Sequence, residues 1–188
     1  MVDEVLAREE ELALIRRAQE DPEAFGELYS LYVGRIYAYH FQHTGNRADA
    51  EDLTSRTFYR VLRHLPRYRD QGLPFSAWLF RIAHNLQANW YRDRERHPLI
   101  VLNEEWDEHG GEEVEGPERE MERRALQGQL REVLRTLPPE QREVLALKFG
   151  AQMSNAEIAA VLGRTEGAIK SLYHRILLRL REALREEL

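Results

Sequence analysis

Apolar residues recur along this chain at three- and four-residue spacing, stretch after stretch, and nowhere alternate with polar ones. That pattern predicts helices and no strands. Leu12, Ile15 and Ala18 mark a first amphipathic helix. Asp21-Pro22 starts a second: Asp suits the N-cap, and Pro suits the first helical position, where no N–H is needed. Phe25, Leu28, Tyr32, Ile36 and Tyr39 form its inward face, and Gly45 ends it. A third helix begins near Arg47 with Ala50, Leu53, Phe58, Val61, Leu62 and Leu65 inward, and stops at Pro66. A polar, Arg-rich loop over 67–73 follows. Pro74 opens a fourth helix whose stripe is Phe75, Trp78, Leu79, Ile82, Leu86 and Trp90.

Periodicity then lapses. Residues 98–119 are acidic, with Gly or Pro at 110, 111, 116 and 117, and read as a linker without a core. Trp106 stands out there as an apolar residue that docks on a partner or on a neighbouring domain. Helical spacing resumes with Met121, Ala125, Leu130, Val133, Leu134 and Leu137, breaks at Pro138-Pro139, and returns with Val144, Leu145, Leu147 and Phe149 as far as Gly150. Ser154 with Glu157 three residues on is a capping box, so another helix starts there. Ile158, Ala159 and Leu162 share its face, and Gly163 provides the left-handed C-cap. Thr165 caps a last helix with Ile169, Leu172, Tyr173 and Ile176 inward and Lys170, Ser171, His174 and Arg175 opposite. A short helix, a tight Gly turn and a second helix with basic and polar residues near its start make a helix-turn-helix, whose second helix fits the DNA major groove. The competing reading of this stretch alone is a helical hairpin with a solvated basic face. The expected fold is all-α: two small helical domains, 1–97 and 120–188, joined by an acidic flexible linker.

The net charge of −6 looks wrong for a nucleic-acid binder until it is divided along the chain. Residues 1–97 carry −1, the linker −7 and residues 120–188 +2; within the first segment, residues 56–97 carry +6. The acidic excess therefore sits in the linker, and the two helical segments remain available to phosphate. There is no Cys, so neither disulfides nor thiolate metal sites enter. No apolar run approaches the ~20 residues of a membrane span, and the acidic N-terminus lacks a signal-peptide core. The reading is a cytoplasmic protein with no membrane insertion.

Asn85 and Asn89 lie one turn apart on the polar face of the fourth helix, with Arg81, His84 and Arg92. Asn disfavours helix interiors but presents donor and acceptor together, as base edges require. By themselves they read as ordinary surface polarity. His40 and His43 form a lone HxxH without a third ligand, read as a polar helix face. No P-loop, GxSxG or metal-ligand cluster is present, so no cofactor, metal or catalysis is expected.

Two separated blocks resemble one family. DAEDLTSRTFYRVLRHLPRYRD and FSAWLFRIAHNLQANWYRDRER, within about 11–97, resemble region 2 of the extracytoplasmic-function (ECF) sigma factors of bacterial RNA polymerase. LRTLPPEQREVLALKFG and the helix-turn-helix, within about 120–184, resemble region 4. The resemblance implies a subunit that binds core polymerase, recognises promoter −35 and −10 elements and helps open the duplex. It places Asp49, Glu51, Asp52, Ser55, Arg56, Tyr59 and Arg60 against core polymerase, at the clamp helices of the largest subunit, with region 4 near the flap. It places Arg67, Tyr68, Arg69, Asp70, Phe75, Asn85, Asn89 and Arg92 at the −10 element, where a flipped non-template base is captured, Tyr68 and Phe75 being candidate pocket walls. Thr165, Lys170, Ser171, His174 and Arg175 fall to the −35 element. The acidic linker is expected to thread a channel built for nucleic acid, and an anti-sigma factor is an expected partner. Arg56 departs from the family, which usually has an acid there; Leu172 and Leu177 stand where Arg is frequent. A helix-turn-helix regulator acting without core polymerase is the alternative, but it gives the loop and the acidic linker no purpose.

Overall fold

The computed structural model describes residues 2–93, 133–134 and 136–185. The linker, Trp106 and most of the helix expected over 121–137 lie outside the described residues. Those described form α1 (Val2–Ala18), α2 (Pro22–Thr44), α3 (Arg47–His64), α4 (Phe75–Asp93), α5 (Pro139–Leu145), α6 (Asn155–Leu162) and α7 (Glu166–Arg185). A 3-10 turn over Leu65–Arg67 follows α3, and a π turn over Ala146–Gly150 follows α5.

The helix boundaries obey local chemistry. Asp21 accepts from the Glu23 N–H at the start of α2, with Pro22 as its first residue. Gly45 ends α2 at φ 60°, left-handed backbone that a Cβ disfavours. Asn46 then caps α3 by accepting from the Asp49 N–H. Both halves of the Ser154–Glu157 capping box form, Gly163 closes α6 at φ 65°, and Thr165 accepts from the Ala168 N–H as α7 begins.

The helices α1–α4 pack around Ile15, Leu28, Ile36, Tyr39, Phe75, Leu79 and Phe80, all buried. In the C-terminal half Leu147, Met153, Ile158, Ile169 and Ile176 are equally buried. The two sets join in one contiguous apolar cluster, since α4 packs on α6 and α2 on the π turn. The main cores of the two halves are thus continuous, and Leu53, Leu86 and Trp90 form a smaller separate cluster.

Some expected core positions lie outside. Leu62 is 50% exposed and Phe149 38%, although both keep helical spacing with buried neighbours. Leu62 follows Val61, which takes the centre of the α3 face. Phe149 sits in the π turn, whose wider winding moves it off the stripe; its ring lies 6.3 Å from Tyr173. His40 and His43 reverse the other way. Their faces are buried, not solvated, because α4 and α5 supply partners for both rings.

Candidate nucleic-acid interface

At the α3–α4 corner the chain leaves α3 through the 3-10 turn and crosses to α4 in a short loop. Gln19, from the α1–α2 corner, donates its side-chain amide to the carbonyls of Leu65 and Tyr68, both at 3.0 Å. The Asp70 carboxylate accepts from the Gly72 N–H at 2.9 Å, and Gly72 sits at φ 81°. The loop is thus pinned at its start and turned tightly at its middle. Arg8 of α1 approaches Asp70 at 3.8 Å.

Between loop and α4 lies an open cleft of about 270 Å³, lined by Arg67, Tyr68, Arg69, Gln71, Leu73, Pro74, Ala77, Trp78 and Arg81, and by Ala160 of α6. The Tyr68 and Trp78 ring centroids are 4.9 Å apart at 55°, giving the cleft a two-sided aromatic wall. Phe75 is only 2% exposed and stands behind that wall, 5.3 Å from each ring, bracing it from the core. Burial, and then the neighbouring Asp70, raise the Tyr68 phenol, which stays neutral and able to donate. A planar apolar face with Arg67, Arg69 and Arg81 around it suits a stacked base with a phosphate to each side. Trp78, which the apolar stripe assigns to the core, is half-buried and faces this cleft.

Asn85 is exposed one turn beyond Arg81 on α4. Asn89, the next turn on, is half-buried and accepts from Arg92 at 2.6 Å. Neither asparagine lines the cleft; they continue it as a polar track along the helix.

The residues expected to meet polymerase lie on the outer face of α3. Glu51, Asp52, Ser55, Arg56, Tyr59 and Arg60 are exposed, and Asp49 is half-buried. Arg56 pairs with Asp52 at 3.0 Å and Arg47 with Glu51 at 2.8 Å, so the acids carry cations of their own helix. Tyr59 is 60% exposed, and with Leu62 it gives this face an apolar centre.

On α7, Lys170, Ser171, His174 and Arg175 are all exposed on one side, while Ile169, Leu172 and Ile176 are buried on the other. Lys170 is held by Glu166 at 2.8 Å. Arg164, in the turn before α7, pairs with Glu140 at 2.9 Å. Leu177 and Leu178 remain more than 40% exposed.

A fourth cluster has no signal in the sequence, because Glu143 lies 59 to 104 residues from the partners it meets. Glu143 of α5 turns towards the N-terminal half with only 14% of its side chain exposed. Its Oε2 meets His43 Nε2 at 2.8 Å; its Oε1 accepts from Tyr39 Oη at 2.7 Å and meets His84 Nδ1 at 3.0 Å. Burial opposes the Glu143 charge, but the two histidines outweigh it and hold the carboxyl well below the usual range. Burial likewise works against a charged His84, yet the bond and attraction from Glu143 leave that ring raised. Nearby, Arg35 donates to the Ala151 carbonyl through Nε at 3.1 Å and Nη2 at 2.6 Å, and Ser76 bonds Glu157.

Family comparisons agree with this layout. The Sigma-70 region 2 model matches residues 28–97, and the Sigma-70 region 4 model matches 127–180. The chain is 37% identical to the ECF RNA polymerase sigma factor BldN of Streptomyces coelicolor, over 94% of this chain and 66% of that protein. It is 35% identical to SigE of Mycolicibacterium smegmatis, over 86% of this chain and 62% of that protein, so it spans less than two-thirds of either length. With SigW of Bacillus subtilis it shares 30% identity over 89% of this chain and 90% of that one. Among solved structures, CnrH in complex with the cytosolic domain of CnrY superposes with a TM-score of 0.63 at 25% identity, covering 94% of this chain and 97% of that one. Region 2 with its aromatic cleft, region 4 with its helix-turn-helix, and relatives matched along nearly the whole of this chain place it in the ECF sigma factors of the sigma-70 family, a non-enzymatic family.

Proposed function

We propose that this chain is a promoter-recognition subunit whose chemistry is entirely binding. The observation that carries the proposal is the Tyr68–Trp78 cleft ringed by Arg67, Arg69 and Arg81, with the polar track through Asn85 beside it. A base leaves the duplex at a cost of a few kcal/mol. Stacking in such a cleft offsets that cost by about 1–3 kcal/mol per base, and capture of one strand favours melting. The exposed side of α7 lies in the major groove of the −35 element, with Thr165 and Lys170 at its start and Ser171, His174 and Arg175 following. The α3 face centred on Tyr59 docks on the clamp helices of core polymerase, and region 4 on the flap. The acidic linker follows the path of nucleic acid through the enzyme. No helix among the described residues is long and apolar enough to cross a membrane, which suits work on cytoplasmic polymerase. CnrH was solved with CnrY, and an anti-sigma factor is the corresponding partner proposed for this chain.

The test is transcription in vitro with bacterial core polymerase on fragmented DNA of the source genome, sequencing RNA 5′ ends. Discrete starts sharing a −35 and a −10 word support the reading. Binding to duplex DNA without any effect on core polymerase defeats it in favour of an ordinary helix-turn-helix regulator.

A further inference from the structure

The two aromatic walls of the base cleft differ in origin. Trp78 stands on α4, where the helix itself fixes its direction. Tyr68 stands where the 3-10 turn ends, at φ −61° and ψ 137°, and the next helix begins only at Phe75. Inside the loop, the Tyr68 N–H reaches the Leu65 carbonyl at 2.9 Å, and Asp70 turns the chain at Gly72. Neither bond holds the Tyr68 carbonyl, which fixes how the chain leaves the residue that carries the ring.

Gln19 holds it from outside the loop. Its Nε2 donates to the Leu65 and Tyr68 carbonyls, both at 3.0 Å. Both partners are acceptors, so only the amide's NH2 end serves, with one proton for each. One planar group therefore spans the turn from its first residue to Tyr68. Gln19 is itself fixed: its N–H bonds the Ile15 carbonyl at 3.1 Å, and the Asp21 N–H bonds Arg17 at 2.9 Å before Asp21 caps α2. Other contacts to the loop are weaker anchors. Arg69 also bonds the Tyr68 carbonyl, at 2.9 Å, but it is exposed and belongs to the loop it would hold. Arg8 meets Asp70 only at 3.8 Å in a partly exposed pair, a type worth little. Gln19 also precedes residues 28–97, the segment that region 2 matches.

We propose that Gln19 is a positioning residue for base capture: acting through Tyr68, it keeps the loop-borne wall of the cleft in place beside Trp78. A wall already in place need not be ordered when the base arrives, so its anchor adds to affinity for the unpaired strand. This role rests on the cleft being a base-capture site.

The test uses holoenzyme assembled from the full chain and bacterial core polymerase. The probe is a fork DNA, duplex at −35 and single-stranded over the non-template −10 segment, built on a start site from the 5′-end assay. Abasic substitutions scan that single strand. In the wild type, one abasic position should weaken binding about fivefold or more, the loss expected for one stacked base. In Gln19→Glu, which has similar shape but no donor, this intact-to-abasic ratio should fall towards unity. Added charge or general destabilisation lowers both forks alike and leaves the ratio unchanged. Gln19→Leu removes the donors without adding charge and should repeat the result, with core affinity retained in both variants. An unchanged ratio in a variant that binds core polymerase overturns the positioning role. Loss of core binding by both variants also overturns it, since Gln19 then serves the fold. If no abasic position matters in the wild type, the base-capture reading itself fails and takes this role with it.

Discussion

His40 is fully buried in region 2, with Nδ1 2.9 Å from Gln87 Oε1 and Nε2 2.9 Å from Thr57 Oγ1. A neutral ring carries a single N–H to share between these two partners, while Thr57 Oγ1 gives its own proton to the Leu53 carbonyl at 2.8 Å; a charged ring brings an extra proton into an enclosed site. Burial pushes its pKa down to about 4 from 6.5, the Gln87 bond opposing that shift only in part. The unfolded chain therefore takes up a proton that the folded chain refuses between those values. The neutral site's stability is whole above pH 6.5 and drains away as pH falls towards 4. At about 1.4 kcal/mol per unit the total is roughly 3 kcal/mol, of which about 2 kcal/mol is gone by pH 5. Against a typical stability of about 5–15 kcal/mol, that is measurable. Urea unfolding of wild type and His40→Gln at pH 7.5 and 5.0 isolates it, because the Glu143 and His84 contributions are common to both proteins and cancel in the difference. His40→Gln is expected to lose about 2 kcal/mol less than wild type over that interval. Identical pH dependence in the two proteins refutes the assignment of His40 as a buried neutral ring.

Three further outcomes test the interface. Trp78→Ala should remove stacking worth about 1–3 kcal/mol, reducing open-complex formation by permanganate footprinting while core binding by gel shift is retained. Asn85→Ala should flatten discrimination among −10 variants in run-off transcription with little loss on the best sequence; unchanged selectivity sinks its role in reading. On α7, Arg175→Ala should weaken −35 binding more than Lys170→Ala, since Glu166 already holds Lys170. A single base contact is worth about 1–3 kcal/mol, and fluorescence anisotropy with a −35 duplex can rank the pair.

Much of this molecule is written in short words. The helix starts at Pro22 and Ser154 and the stops at Gly45 and Gly163 follow from groups within a few residues, so they were legible without a fold. So was the division of α7 into an apolar side and a side with Lys170, Ser171, His174 and Arg175, because one helix sets both. The region 2 and region 4 words identified the family for the same reason. Periodicity, however, says that a face is covered and never by what. It could not tell that Phe75 braces the cleft from behind while Trp78 lines it, nor that Leu62 and Phe149 fall outside the cores their spacing suggests. Least visible were the polar residues placed inside. His40, His43, Gln42 and Gln87 look like surface because polar side chains are costly to bury alone. The two histidines are buried because other elements bring partners, Thr57 to His40 and Glu143 to His43. Local bonding chose the helices; only their packing, which brings Glu143 back to Tyr39, His43 and His84, decided that the two halves meet.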